Sequence, residues 1–170
     1  MARFGPDTAT CEVFTEREGV LAAAGHDLKL RAENFEIEAD PTSVRARFDP
    51  SSLRVVAAMR GGREDATALS ERDRRDIERS AAGDVLEARR FPEITFTSSA
   101  VEPGSVRGTL SLHGRDLSGE FAVKRVGDRA VAEVEIDVRR FGIRPFTAML
   151  GALRVSPRVR VVVTTPWPDV

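Results

Sequence analysis

The chain has 170 residues, 41% hydrophobic and 31% charged, enough for one domain with a single core and no covalent staple. Its 26 basic and 27 acidic side chains leave a formal charge of −1, which argues against the net positive face that general nucleic-acid binding needs. No apolar run reaches the length of a membrane-spanning helix, residues 1–12 lack the apolar stretch of a secretory leader, and the single cysteine, Cys11, excludes an internal disulfide; a cytoplasmic protein is the expectation.

In chain order, the first clear pattern opens at GHDLKL, residues 25–30. Leu28, Leu30 and Ala32 share one parity, as successive inward positions of a strand do. Phe35, Ile37 and Ala39 share the other, so a bulge or tight turn is expected near residues 32–34. Val44, Ala46 and Phe48 follow, then Leu53, Val55, Ala57 and Met59. Gly61 and Gly62 read as a flexible link towards the one helical segment, residues 69 to about 82. There Ser70 is the N-cap with Asp73 three residues on, and Glu71–Arg75 and Arg74–Glu78 are spaced to support the helix. Its apolar face is thin, chiefly Leu69, Ile77 and Ala81, so it belongs on the surface or over an opening. Arg72, Arg74, Arg75, Arg89 and Arg90 lie among carboxylates and read as a solvated, ion-paired face.

The second half alternates more cleanly. Ile94, Phe96, Ser98 and Ala100 form one inward set, and Val106, Gly108, Leu110 and Leu112 the next. Leu117, Gly119, Phe121 and Val123 follow, then Ala132, Val134, Ile136 and Val138, and last Val159, Val161 and Val163. Pro103-Gly104, His113-Gly114 and Gly127-Asp128 supply short turns, which makes the segments antiparallel hairpins. A second short helical turn is predicted at residues 146–153.

Eight or nine strands and one or two short helices predict an all-β fold, an antiparallel eight-stranded barrel closed on itself to remove its edges. A barrel of that size is filled by side chains or holds one small ligand. The small residues Ala57, Ser98, Ala100, Gly108, Gly119 and Ala132 on the inward parity favour room inside, although strand glycines also mark bends.

The stretch VLEARRFPEITFTSSAVE followed by VRGTLSLHGRDLSGEFAV resembles the middle of the YceI-like proteins. The residues that carry the likeness are Phe91, Pro92, Ile94 and Phe96, then Gly108, Leu110, Leu112, His113 and Gly114. Residues 137–143, DVRRFGI, and the closing RVRVVV resemble that family's last strands, and GHDLKL one branch's second strand. The likeness runs over residues 10–166 and treats 1–170 as a single domain. It implies a lipocalin-like barrel holding a long isoprenoid chain or quinone tail, a bacterial lipid-binding and transport role, no cofactor and no catalysis. Many relatives are periplasmic and carry a leader, which this chain does not show. A homodimer is left open.

The candidate ligand-binding wall is His26, Leu28, Leu30, Val55, Ala57, Phe96, Leu110, Leu112, Phe121, Val134, Ile136, Phe141, Phe146, Leu150 and Val161. His26 and Asp27 read either as turn residues bonded to backbone, as an acid–base pair, or, for His26, as a head-group contact at the mouth. Adjacent strand residues point to opposite faces, which weakens the pair as a dyad. His113 reads as a turn residue. Cys11 completes no spaced motif, and two distant histidines fall short of a zinc set. Phe141, Phe146, Met149, Leu150 and Leu153 form either a plug of packing or a gate for a lipid tail. No phosphate loop is present, and nothing is assigned to Trp167. Three functions remain open: a lipid carrier, an enzyme using His26, Asp27 or His113, and a filled barrel acting as an interaction module.

Overall fold

The computed structural model describes residues 1–19, 25–148 and 153–168. In chain order its elements are β1 (Ala2–Phe4), β2 (Thr10–Thr15), β3 (Arg17–Glu18), β4 (Asp27–Ala32), β5 (Phe35–Asp40), β6 (Ser43–Phe48), β7 (Leu53–Arg60) and β8 (Arg63–Asp65). Helix α1 (Glu71–Ser80) follows, then β9 (Ile94–Glu102), β10 (Ser105–Leu112), β11 (Arg115–Val126), β12 (Arg129–Asp137), β13 (Thr147–Ala148), β14 (Leu153–Val155) and β15 (Arg158–Pro166). Twelve strands form one sheet in the order β1-β5-β6-β9-β10-β11-β12-β15-β2-β4-β7-β8, and β13-β14-β3 form a small second one.

The fold is all-β with antiparallel ladders, as the alternating pattern required. The eight-stranded closed barrel is replaced by a twelve-stranded sheet that curls, its outermost strands β1 and β8 sharing no ladder with each other among the described residues. Side chains bridge where hydrogen bonds do not. Phe4, Ile37 and Ala39 of β1 and β5 pack in one buried cluster with Cys11 and Ala32 of β2 and β4, and Val161 and Val163 lie against it. Short strands without a distinct apolar run, β1, β3, β8, β13 and β14, and the six-residue β2, were absent from the sequence expectation.

The parity slip at residues 33–34 is a tight turn. Ser52 satisfies it: Asn34 N–H donates to Ser52 Oγ at 3.0 Å, and Glu33 N–H to Ser52 O at 3.2 Å. Two further slips decide which side chains face inward. Between β9 and β10 the register shifts so that Gly108 faces Ser98 and Arg107 faces Ala100, leaving Ser99 extra. Between β4 and β7, Leu30 faces Val55 and Lys29 faces Ala57, leaving Val56 extra. Each bulge reverses the parity beyond it. Ala100 and Ala57, expected inward, therefore share the outer face with Arg107 and Lys29, and Val101, paired with Val106, turns inward instead.

Helix α1 starts where the sequence placed it. Ser70 Oγ accepts from Asp73 N–H at 3.1 Å and Asp73 Oδ2 accepts from Ser70 N–H at 3.0 Å, a full capping box. The helix ends at Ser80 and loosens into a π-turn over Ala81–Val85. The expected Arg74–Glu78 pair does not form. Both side chains reach the β7 bulge: Val55 N–H donates to Glu78 Oε1 at 3.0 Å, and Arg74 Nη1 donates to Val56 O at 3.1 Å. A bulge leaves ladder groups unpaired, and these two residues satisfy them. The predicted helical turn at residues 146–153 is contradicted at Thr147–Ala148 and Leu153, which lie in β13 and β14; residues 149–152 are outside the described set. No described helix is long and apolar enough to cross a membrane.

Candidate functional site

The curled sheet encloses a cavity of about 970 Å³. Its wall comes from nearly every long strand: Cys11 and Val13 of β2, Leu28 and Leu30 of β4, Ile37 of β5, Val44 and Phe48 of β6, Phe96 and Val101 of β9, Val106, Leu110 and Leu112 of β10. Phe121 and Val123 of β11, Ala132, Val134 and Ile136 of β12, and Val159, Val161 and Val163 of β15 complete it. Alternation puts these apolar residues on one face of each strand, and the curl turns those faces towards a common space. Most of them are only half-buried, because they face the cavity rather than each other.

The glycines do not leave the room the sequence suggested. Gly108 and Gly119 are register partners. A Cβ on Gly108 would lie 2.6 Å from Phe96 Cζ and 2.8 Å from Ser98 Cα, and one on Gly119 3.3 Å from Phe121 Cζ. The two rings occupy that space and meet edge to face at 5.5 Å. Glycine here lets bulky rings lie against the wall. The free volume comes instead from the curl and from alanines such as Ala132.

Polar groups gather at the two ends. Hairpin alternation brings the β5–β6 turn, the β9–β10 turn and the end of β15 together, where Asp40, Pro41, Glu102, Pro103 and Trp167 line the cavity. Glu102 pairs with Arg107 at 2.5 Å, Asp40 is held below the usual carboxylate range by bonds from Thr42, and Trp167 stacks under Arg125, its backbone N–H donating to Asp128 O at 2.7 Å. At the opposite end Arg17, His26, Asp76, Phe146 and Arg154 line the cavity, with Ile77 of α1 leaning over Leu28, Leu30 and Val55.

GHDLKL is resolved into its parts by this end. Asp27 accepts Arg17 N–H at 2.9 Å and Arg17 Nη1 donates to Gly25 O at 2.6 Å, so Asp27 ties the start of β4 to β3. His26 is exposed, lines the cavity and stands beside the N-terminus of α1. The Asp73 carboxyl there is lowered by its Ser70 bonds, with the His26 charge adding to the effect. His113 does not reach the cavity. Its Nε2 lies 2.5 Å from Glu87 Oε2, its Nδ1 3.2 Å from Phe141 O, and its ring 4.4 Å from that of Phe91. Cys11 lines the wall, but burial, with Glu12 adding to it, pushes its thiol up to about 12, so it is neutral at ordinary pH. Among the described residues no three metal-ligating side chains converge.

Of the fifteen candidate wall residues, His26, Leu28, Leu30, Phe96, Leu110, Leu112, Phe121, Val134, Ile136, Phe146 and Val161 line the cavity. Val55 lies opposite Leu30 but is covered by Leu69 and Ile77. Ala57 is on the outer face because of the bulge. Phe141 is 4% exposed in a plug with Ile143, packed against Leu112, Val85 and Leu86, which themselves line the cavity. Leu150 is outside the described residues. Sequence reading passed over Cys11 and Val13, whose alternation in TCEVFT was legible, and Val101 and Trp167, which no local pattern marks.

The family profile described as YceI-like domain matches residues 8–166. No curated protein matches the chain. Among solved structures, a polyisoprenoid binding domain from Saccharophagus degradans is 14% identical with a TM-score of 0.57, covering 94% of each chain. BcnA from Burkholderia cenocepacia is 16% identical with a TM-score of 0.55, covering 92% of this chain and 96% of the other. At these identities the likeness is one of fold.

Proposed function

The chain belongs to the YceI-like family, and from that premise we propose that it binds a long apolar lipid, a polyisoprenoid or quinone tail, and carries it without chemical change. The observation that carries the reading is the cavity. Its volume of about 970 Å³ lies at the upper end of the roughly 300–1,000 Å³ of ligand sites, and its wall is apolar between two polar ends. Filled with water at about 30 Å³ per molecule it would hold some thirty waters with few partners on the wall. Each methylene that replaces such contact gains about 0.8 kcal/mol, and a long chain offers many. Ordering the chain offsets much of that gain.

Binding alone needs no reactive group. His113 is bound away from the cavity and the Cys11 thiol is held neutral, which favours a carrier over an enzyme. The cavity likewise favours a carrier over a filled interaction module. The test is mass spectrometry of an organic extract of natively purified protein, followed by reloading with an added polyprenol. A stoichiometric lipid, or uptake of the polyprenol, is expected. No lipid in the extract together with no uptake would overturn the reading.

A further inference from the structure

A lipid cargo has to enter from somewhere, and one end of the cavity is rimmed by arginine among the described residues. From Val138 to Pro168 the sequence holds six arginines and no acidic residue, in a chain whose charges balance only with these six included. Five of the six, Arg139, Arg140, Arg144, Arg154 and Arg158, lie in the link after β12, in β14 and at the start of β15, around the same end, and all are exposed. The carboxylates nearby are committed: Asp137 to Arg139 at 2.7 Å, Glu18 to Arg154 at 2.9 Å, and Asp27 to the Arg17 backbone. Asp76, which lines the cavity at this end, is paired with Arg79 at 3.4 Å, and Glu16 lies between β2 and β3. Arg140 and Arg144 have no carboxylate partner among the described residues. Phe146, 42% exposed and lining the cavity mouth, stands two residues from Arg144.

The described residues that present these groups are tied down at several points. Asp137 caps Arg139 N–H, Gly142 turns the chain at φ 72°, and Phe141 and Ile143 anchor it in the plug at 4% and 2% exposure. Val138 N–H is bonded to Pro157 O at 2.9 Å and Val155 N–H to Phe146 O at 3.0 Å. Buried anchors thus alternate with exposed cations, and an aromatic ring sits at the mouth.

We propose that this arginine-rimmed end docks on a bilayer bearing anionic lipid headgroups, with Phe146 inserted at the interface and the cavity mouth facing the membrane. The inference rests on the lipid-cargo reading. Unpaired arginines beside an exposed aromatic ring match an anionic interface in charge and in polarity, and each contributes only within a Debye length of the surface.

The experiment is co-sedimentation of the full chain with phosphatidylcholine vesicles, with and without about 30% phosphatidylglycerol, at low salt and at about 0.5 M salt. A fluorescent polyene lipid titrated in solution reads the cavity separately. Wild-type protein is expected to sediment with the anionic vesicles only and to be released by salt. The double variant Arg140→Ser, Arg144→Ser should bind these vesicles about tenfold or more weakly. Polyene binding should be unchanged, because neither residue lines the cavity. Wild-type protein that ignores both vesicles, or a double variant that sediments like wild type, would overturn the docking. Capture by immobilised polyaspartate without vesicle binding would assign the face to an acidic protein and also overturn it. Arginine-dependent vesicle binding without polyene uptake would leave docking intact and remove the cargo reading.

Discussion

Glu87 and His113 are the two non-glycine residues with left-handed backbone among those described, φ 47° and 53°, and they are bonded to each other at 2.5 Å. Left-handed backbone costs energy for residues with a side chain, so each is held in place by its surroundings. Here the bond ties the segment after the π-turn to the β10–β11 hairpin, and the Phe141 carbonyl takes the other ring nitrogen. Beneath it lies the plug of Leu112, Phe141 and Ile143 with Val85 and Leu86. A motif residue weighed as an acid–base candidate thus joins two segments through both ring nitrogens.

His113→Ala removes both bonds and the contact with Phe91. We expect a loss of about 1–3 kcal/mol, which for a chain of this size lowers Tm by several degrees. Lipid affinity measured below the new transition should stay within about threefold of wild type. A large affinity loss in folded protein would place His113 in the binding site after all.

Ala132 and Ala57 separate the cavity from the packed shell. Ala132 lines the cavity, so Ala132→Phe should fold and reduce lipid uptake by about tenfold or more. Ala57 is 1% exposed on the other face, so Ala57→Phe should cost about 1–3 kcal/mol or prevent folding. Paired thermal melts and lipid titrations check both. Equal damage from the two would mean that the cavity wall is packed as tightly as the shell.

Glu78 holds helix α1 over the mouth through the Val55 N–H. Glu78→Ala leaves that half-buried donor without its partner, at a cost of about 1–2 kcal/mol. The change should appear first as faster hydrogen exchange at Val55 and as faster release of a bound fluorescent lipid. Unchanged exchange at Val55 would contradict the clamp.

The Asp137 carboxyl is held down at about 2, chiefly by its side-chain bond to Arg139 and then by the Arg139 backbone N–H. A depressed folded value means that its contribution to stability is present above the ordinary carboxylate range, near 4, and is lost as pH falls through about 2. Asp137→Asn should therefore be less stable than wild type at neutral pH, the gap closing between about pH 4 and pH 2. Denaturant unfolding across that range measures it. A constant gap at all pH values would show that the carboxylate charge is not involved.

Sequence by itself determined most of the long strands and the hairpin pairing of consecutive strands in the second half. Val106, Leu110 and Leu112, or Val134 and Ile136, are legible because alternation is a local property: burying one face of a strand needs a period of two, whatever the fold around it. The Ser70–Asp73 capping box was legible for the same reason, since its hydrogen bonds span three residues. So was the turn at residues 33–34, which the parity slip betrayed.

Only the tertiary structure decided which face looks into the cavity beyond a bulge. Ser99 and Val56 carry no local mark of being the extra residue, because a bulge belongs to a pair of strands and the partner is distant in sequence. That is why Ala100 and Ala57 were placed inward, and Val101 was not. The fates of Arg74, Glu78 and His113 depended likewise on backbone groups brought near by folding; the helical spacing and the turn motif could name the residues but not their partners. The apolar content of the wall is written in the sequence, whereas the volume it encloses exists only once the sheet has curled.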